Sequence, residues 1–288
     1  MVAFRVMGIV NVTPDSFSDG GRFLSADAAI AHACALAAEG ADILDVGGES
    51  TRPGAEPVAA GEELRRVLPV LEGIAGSIPA RPQISIDTSK AAVAERAIAA
   101  GATLVNDVSA LRTDPDMAAL VAASGADCCL MHMRGEPRTM QDDPRYDDVV
   151  DDVRAFLEER LAFAVGEGIA VERIMLDPGI GFGKTEQHNL ALLRRLDELL
   201  ALGRPLVIGT SRKGFIGRIA ERDAARGRGL AAADRLAGTL ATNVLALERG
   251  ASVFRVHDVG PAREALAVAA ATLGERWTAR STRTSPTT

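Results

Sequence analysis

Polar side chains stand at the ends of the chain's apolar runs, placed to meet whatever lies beyond those ends. Asn11 ends the first run, Asp45 the second with Glu49 just after it, Asp87 the third, Asn106 and Asp107 the fourth, His132 the fifth and Asp177 the sixth. The seventh leads into Ser211, Arg212 and Lys213, and the eighth closes on Arg255, His257 and Asp258. A carboxylate such as Asp177 accepts two hydrogen bonds from adjacent N–H donors of a guanidine-like ring edge, and an amide such as Asn106 both donates to and accepts from that edge. Arg255 and His257, two apart on a strand, point the same way and can hold anionic oxygens. Together these residue types suit a polar heterocycle bearing phosphate. Helix capping accounts for Thr88, Ser89 and Ser109, and Asp177 taken alone also reads as a strand-end cap, but capping does not account for Lys213, Arg255 and His257.

Two tempting motifs fall away. In "DPGIGFGKT" the glycine that a phosphate loop needs five residues before Gly183 is Pro178, so its glycines read instead as a tight turn and a close approach of backbone. HExxH and CxxC patterns are absent, which excludes a tightly held zinc; a magnesium ion with one protein oxygen, several waters and substrate phosphates needs no such cage. The cations are uneven: of 32 basic residues three are lysines, Lys90, Lys184 and Lys213, which points to places where a compact ammonium is required.

These strand ends must be brought together by the fold. An alanine-rich amphipathic stretch repeatedly ends at a glycine before an apolar run, as in "EGADILDVGG", "AGATLVNDVS", "SGADCCLMHM" and "RGASVFRVHD". Gly40, Gly101, Gly125 and Gly250, with Gly168 and Gly203 in variant units, sit where a helix needs a left-handed C-terminal residue. Eight strand candidates emerge, continuously apolar as expected of strands buried on both faces. An α/β protein with eight βα units favours a single-domain closed (β/α)8 barrel over a doubly wound open sheet, since no dinucleotide fingerprint follows the first strand. In a barrel the strand ends share one rim. The segments after strands 1, 2, 5 and 7 read as long, and that elaborated side is the catalytic side.

"NVTPDSFSDGG" (11–21), the first long segment, is made of turn formers and taken alone reads as a solvated connector. The net charge of −7, with no long basic run, excludes a nucleic-acid or membrane surface. No cleavable leader and no apolar span of membrane length occur, so a cytoplasmic location is expected. Cys34, Cys128 and Cys129 read as buried thiols, the adjacent pair pointing to opposite faces.

With these motifs in hand, the chain resembles the bacterial dihydropteroate synthase family of pterin-binding TIM barrels. The resemblance rests on "GIVNVTPDSFSDGG" (8–21), "DVGGESTRPGA" (45–55), "SIDT" (85–88), "VNDVSAL" (105–111), "LMHMRGEPRTMQDDPRYDDVV" (130–150), "LDPGIGFGKT" (176–185), "GTSRKGFIG" (209–217) and "FRVHDV" (254–259), in order across the barrel. It implies a transferase of folate biosynthesis that joins 4-aminobenzoate to 6-hydroxymethyl-7,8-dihydropterin diphosphate by an SN1-like displacement. It further implies that Asp87, Asn106, Asp177 and Lys213 bind the pterin with Phe182 packing nearby, and that Asn11 ligates Mg2+. By the same resemblance Asn11, Thr51, Arg255 and His257 hold the diphosphate, and Phe17, Thr51, Arg52, Pro53, Ser211 and Lys213 form the aminobenzoate pocket. Asp19 and Asp87 would oppose the cationic charge of the reacting pterin, and Lys213 joins them in catalysis. Gly214 departs from the family, which often carries a larger residue there. A homodimer through the later helices is also implied. Residues 1–274 form the barrel in this reading, and the polar segment 275–288 is expected to be disordered. The rivals are a methyltetrahydrofolate methyltransferase-type barrel, for which the loops around 11–21 and 49–54 have no purpose, and a catalytically silent paralogue, against which the intact rim argues.

Overall fold

Each apolar run forms a strand, and residue alternation along it decides what faces the barrel axis and what faces the helices. The computed structural model describes residues 3–13, 26–51, 54–78, 82–223 and 235–281. The order is β1 (Arg5–Asn11), α1 (Ala26–Ala38), β2 (Ile43–Gly47), α2 (Ala60–Ser77), β3 (Gln83–Asp87), α3 (Ala91–Ala99), β4 (Leu104–Asp107), α4 (Met117–Ser124) and β5 (Asp127–Met131). It continues with α5 (Val149–Gly166), β6 (Ile174–Asp177), α6 (Glu186–Arg194), β7 (Val207–Ile208), α7 (Gly214–Asp223), α8 (Leu236–Glu248), β8 (Val253–Val256) and α9 (Val259–Ser281). All pairings are parallel, in the order β6-β5-β4-β3-β2-β1-β8-β7. A parallel bridge between Leu176 and Leu206 closes the ring. This is the expected (β/α)8 barrel.

The six glycines that the repeat places at helix ends, Gly40, Gly101, Gly125, Gly168, Gly203 and Gly250, all have positive φ, which a side chain would disfavour. Outward strand residues such as Val6, Leu44, Ile86, Val105, Cys128, Leu176 and Phe254 pack beneath the helices in one continuous core. Inward residues form stacked layers. Met7, Ile43, Leu104, Cys129, Met175, Val207 and Val253 make an apolar plug across the barrel axis. Cys128 and Cys129 therefore do fall on opposite faces, and both are buried free thiols, while Cys34 is half-buried. Below the plug Gln83 accepts from Arg5 and donates to Asp127 (2.7 Å). Above it, two residues further along β2, β4, β6 and β8, the inward positions are the polar Asp45, Asn106, Asp177 and Arg255, with Ser85 and Asp87 beside them on β3.

The segment after β7 reads as one long loop in the sequence, but only five residues, 209–213, separate β7 from α7; the length comes from this extra helix and the stretch before α8. Backbone of non-helical geometry at Gly274 (φ 42°, ψ −135°) interrupts α9, which then runs on to Ser281. No described helix is long and apolar enough to cross a membrane.

Candidate active site

The strand register aligns the inward residues above the plug. Ile9 pairs with Asp45, Asp45 with Ser85 and Asp87 with Asn106, so residues far apart in sequence stand side by side across the mouth. Asp45, with 0% exposure, is the hub of the layer. Its Oδ1 accepts from Ser85 Oγ (2.6 Å), and its Oδ2 accepts from Asn106 Nδ2 (3.1 Å) and Arg255 Nε (2.6 Å). Arg255 also donates through Nη2 to Asp87 Oδ2 (2.7 Å). A cation pinned by two carboxylates is held in one rotamer. Burial works against the charge of Arg255, but Asp45 and Asp87 outweigh it and hold its proton more tightly than in water.

Over this layer opens a cavity of about 730 Å³, lined by Asn11, Thr51, Asp87, Asn106, Asp177, Phe182, Ser211, Lys213, Arg255 and His257. Every expected site residue that falls among the described residues thus reaches one cavity; Phe17, Asp19, Arg52 and Pro53 lie outside the described residues. Asp177 Oδ1 accepts the Gly179 amide (2.7 Å), while its Oδ2 makes no protein hydrogen bond among the described residues and is available to a ligand. Burial raises the Asp177 carboxyl to about 6, against the opposing effects of the Gly179 amide and Lys213. Asp87 is raised to about 7 by burial, with Arg255 opposing and Asp45 adding to the rise.

The "DPGIGFGKT" loop follows the packing reading and not the phosphate-loop one. A Cβ at Gly179 would lie 1.8 Å from the His132 carbonyl oxygen, and one at Gly183 2.2 Å from that of Arg134, so the loop lies directly on the backbone leaving β5. Thr185 caps α6 through a reciprocal pair of hydrogen bonds with His188. Lys184 turns inward, 2% exposed, and donates to Phe182 O (3.0 Å) and His132 Nδ1 (2.8 Å). Burial and the neighbouring Lys184 push His132 down to about 2, so its ring is neutral, and burial also pushes Lys184 well below the ordinary lysine range. Above this clamp the Lys213 ammonium sits 4.1 Å from the centre of the Phe182 ring. All three lysines lie at the mouth or in its wall.

The turn at 211–213 is held in a strained form. Arg212 has φ 59°, a left-handed value unfavourable for a side chain, and is fixed there by a two-pronged pair with Asp258 (3.1 and 2.6 Å). Thr239 Oγ1 accepts its amide and Arg235 donates to its carbonyl (3.0 Å). Ser211 Oγ accepts the His257 backbone amide (3.1 Å) and lies 2.9 Å from His257 Nδ1, so one hydroxyl fixes both the backbone and the ring of His257.

Sequence reasoning passed over Asp45, Ser85 and Asp258 as site-building residues, and Arg218 and Arg235 as further cations lining the cavity. Asp45 and Asp258 do stand at strand ends in the sequence, but only the register shows that they orient Arg255 and Arg212. Among the described residues no group of three His, Cys, Asp or Glu side chains is placed to hold a metal. Asn11 nevertheless lines the cavity, and its side-chain amide oxygen is a donor type suited to a hard cation that keeps most of its waters and takes phosphate oxygens.

The model of the family described as "Pterin binding enzyme" matches residues 7–257. The chain is 46% identical to the dihydropteroate synthase of Escherichia coli (strain K12) over 272 residues, 94% of this chain and 93% of that protein. It superposes with a TM-score of 0.84 on a Xanthomonas albilineans dihydropteroate synthase solved with 4-aminobenzoic acid, at 46% identity over 99% of this chain and 94% of that one. It is likewise similar to a Yersinia pestis dihydropteroate synthase solved with a sulfonamide drug, with a TM-score of 0.86, 43% identity and 94% coverage of each chain.

Proposed function

The chain belongs to the dihydropteroate synthase family of pterin-binding enzymes, and on that premise we infer how its rim carries out the family's reaction. The enzyme is a transferase: it joins the amine of 4-aminobenzoate to the methylene carbon of 6-hydroxymethyl-7,8-dihydropterin diphosphate, giving 7,8-dihydropteroate and diphosphate. The observation that carries the residue assignments is that one cavity is lined both by the hydrogen-bonding carboxylate and amide of Asp177 and Asn106 and by Arg255, His257 and Lys213.

Asp177 receives the amino-pyrimidine edge of the pterin on Oδ2, and Asn106, fixed by Asp45, presents its carbonyl oxygen to the same ring. Phe182 and Lys213 pack as a unit against the ring system. Arg255 and His257 face the diphosphate together with Thr51 and Asn11. Reaction breaks the methylene C–O bond, and its electron pair leaves with the diphosphate. The positive charge left on carbon spreads into the dihydropterin, opposed by Asp87, which stands beside Arg255 (2.7 Å). The aniline lone pair then forms the C–N bond and the nitrogen releases one proton. Holding that nitrogen in line replaces a bimolecular encounter, an effect worth roughly 7–11 kcal/mol at its upper limit. Thr51, Ser211 and Lys213 supply the described part of the aminobenzoate wall; Phe17, Arg52 and Pro53 complete it and Asp19 adds to the opposing charge, on sequence grounds alone. Mg2+ would be held by Asn11 and the diphosphate oxygens, and when bound it supplies charge neutralisation of the leaving group.

We also propose a homodimer through the later helices, supported by the exposed Leu245 on α8 and Val268 on α9 (45% and 65%), and a cytoplasmic location, supported by three free thiols. Light scattering at micromolar concentration should give twice the chain mass; a monomer would remove the dimer from the account. The test of the site is a pair of variants. Asp177→Asn should weaken pterin diphosphate binding about 100-fold by calorimetry, and Arg255→Ala should lower kcat at least about 100-fold. Unchanged binding in the first or unchanged turnover in the second would show that residue misassigned.

A further inference from the structure

We propose that Glu49 is a positioning residue for the second substrate: its carboxylate ties together the two ends of the loop joining β2 to α2, and so fixes Ser50 and Thr51 against the cavity. The proposal rests on the aminobenzoate assignment above. Glu49 is the second residue beyond β2, and Val58 lies two residues before α2. Glu49 Oε1 accepts the Val58 amide (2.9 Å), closing the loop on itself, while Oε2 is bound by the Lys90 ammonium. Glu49, Ser50 and Thr51 all line the cavity, so the tie lies directly under the residues that face the ligand.

Lys90 is in turn anchored. It donates to Glu63 Oε2 (2.6 Å), on α2, whose side chain has no solvent exposure. Among the described residues Glu63 Oε1 has no hydrogen-bond partner, and its Oε2 is held by Lys90. A carboxylate placed in a protein wall at such expense needs a return beyond stability, because apolar residues of the same volume stabilise at least as well. The return here is direction. Lys90 precedes α3 and Glu63 lies on α2, so the ammonium fixes Glu49 to the scaffold and not merely to its own loop. Gly48 completes the arrangement: a Cβ there would come within 3.0 Å of Glu63 Cγ and 2.8 Å of Val67 Cγ1, so its lack of a side chain lets β2 lie on α2. Burial draws the Lys90 ammonium down, yet Glu49 and Glu63 together hold its proton more firmly than in water.

Three variants separate positioning from plain stability. Glu49→Gln keeps an acceptor for the Val58 amide but drops the ionic tie; Glu49→Ala drops both. Lys90→Met combined with Glu63→Gln removes the anchor without stranding a buried charge. In Glu49→Ala the KM for 4-aminobenzoate should rise about tenfold, with the pterin diphosphate Kd, measured without aminobenzoate, changed less than about twofold. Glu49→Gln should give a rise of about threefold, and the double variant, which also keeps the acceptor for the Val58 amide and loses only the ionic tie, should reproduce the Glu49→Gln pattern. Hydrogen exchange supplies a readout independent of turnover: the Val58 amide should exchange at least about tenfold faster in Glu49→Ala. Parallel rises in pterin Kd and aminobenzoate KM, no change in either, or unaltered Val58 exchange would each overturn the proposal. Wild-type protein that makes no aminobenzoate-dependent product would refute the underlying assignment instead, and the exchange measurement would still decide whether the tie exists.

Discussion

Replacing Asp45 by asparagine removes one charge from the layer beneath the cavity while preserving its shape. Asp45 accepts three hydrogens, from Ser85, Asn106 and Arg255. An asparagine with its oxygen at the Oδ2 position still accepts from Asn106 and Arg255, and its NH2 donates to Ser85, whose hydroxyl can turn to receive it. What is lost is the ionic part of the Arg255 bond, the difference between a charge-assisted hydrogen bond and a neutral one, about 1–2 kcal/mol. Asp87 at 2.7 Å still balances the guanidinium, which keeps the loss well short of the roughly 3–5 kcal/mol of a stranded buried charge. Urea unfolding should therefore show a modest fall in midpoint with an unchanged slope. Turnover should suffer more. Arg255 and Asn106 face different parts of the first substrate, and loosening both by about 1 Å corresponds to roughly 100-fold in kcat/KM, or about 2.7 kcal/mol. Ser85→Ala, which leaves Arg255 and Asn106 bound to Asp45, is the control and should stay within about fivefold. A kcat/KM for Asp45→Asn within about threefold of wild type would refute the claim that Asp45 sets the geometry of the mouth, as would a stability loss above about 5 kcal/mol.

Four further outcomes follow. Binding of the pterin needs ionised Asp177, and Asp87 must be ionised to oppose the pterin cation, so kcat/KM should fall as pH drops through the window set by about 7 and about 6; a profile flat to pH 5 would contradict it. Stability runs the other way: both folded-state values lie above the ordinary 3.8, so the native state holds extra protons and stability from these groups is lost as pH rises from about 4 to 7. Gly179→Ala combines a left-handed φ of 66° with a Cβ 1.8 Å from a carbonyl oxygen, and should lower stability by at least about 3 kcal/mol, measured by thermal or urea unfolding; a loss under about 1 kcal/mol would mean that the loop stands off β5. Sulfonamides should compete with 4-aminobenzoate in steady-state kinetics, and noncompetitive inhibition would place them elsewhere.

The barrel is legible because its signals are local and repeated. A glycine with left-handed backbone stands ahead of six of the eight strands, and an apolar run follows; both are properties of neighbouring residues. The rim is legible for a related reason, since strand ends converge in any closed barrel and polar residues there stand out against the apolar runs. The hidden part is pairwise. That Asp45 meets Ser85, Asn106 and Arg255 depends on the register across four strands, and no local pattern encodes a partner 210 residues away. Arg212 illustrates the same limit: it reads as one more cation on the rim, whereas its bond to Asp258 and its left-handed backbone make it the brace that aims Lys213. "NVTPDSFSDGG" reads as a connector by composition, and its Asn11 acquires a role only once β1 delivers it to the cavity.

The most direct test is to incubate the purified protein with 6-hydroxymethyl-7,8-dihydropterin diphosphate, 4-aminobenzoate and Mg2+, and to measure dihydropteroate and diphosphate together. The account predicts that the two appear in equal amounts, that dihydropteroate formation requires both substrates, and that Asp177→Asn lowers the formation of both about 100-fold at limiting pterin diphosphate. Diphosphate released without any aminobenzoate-dependent dihydropteroate, or product formed equally well by Asp177→Asn, would contradict it.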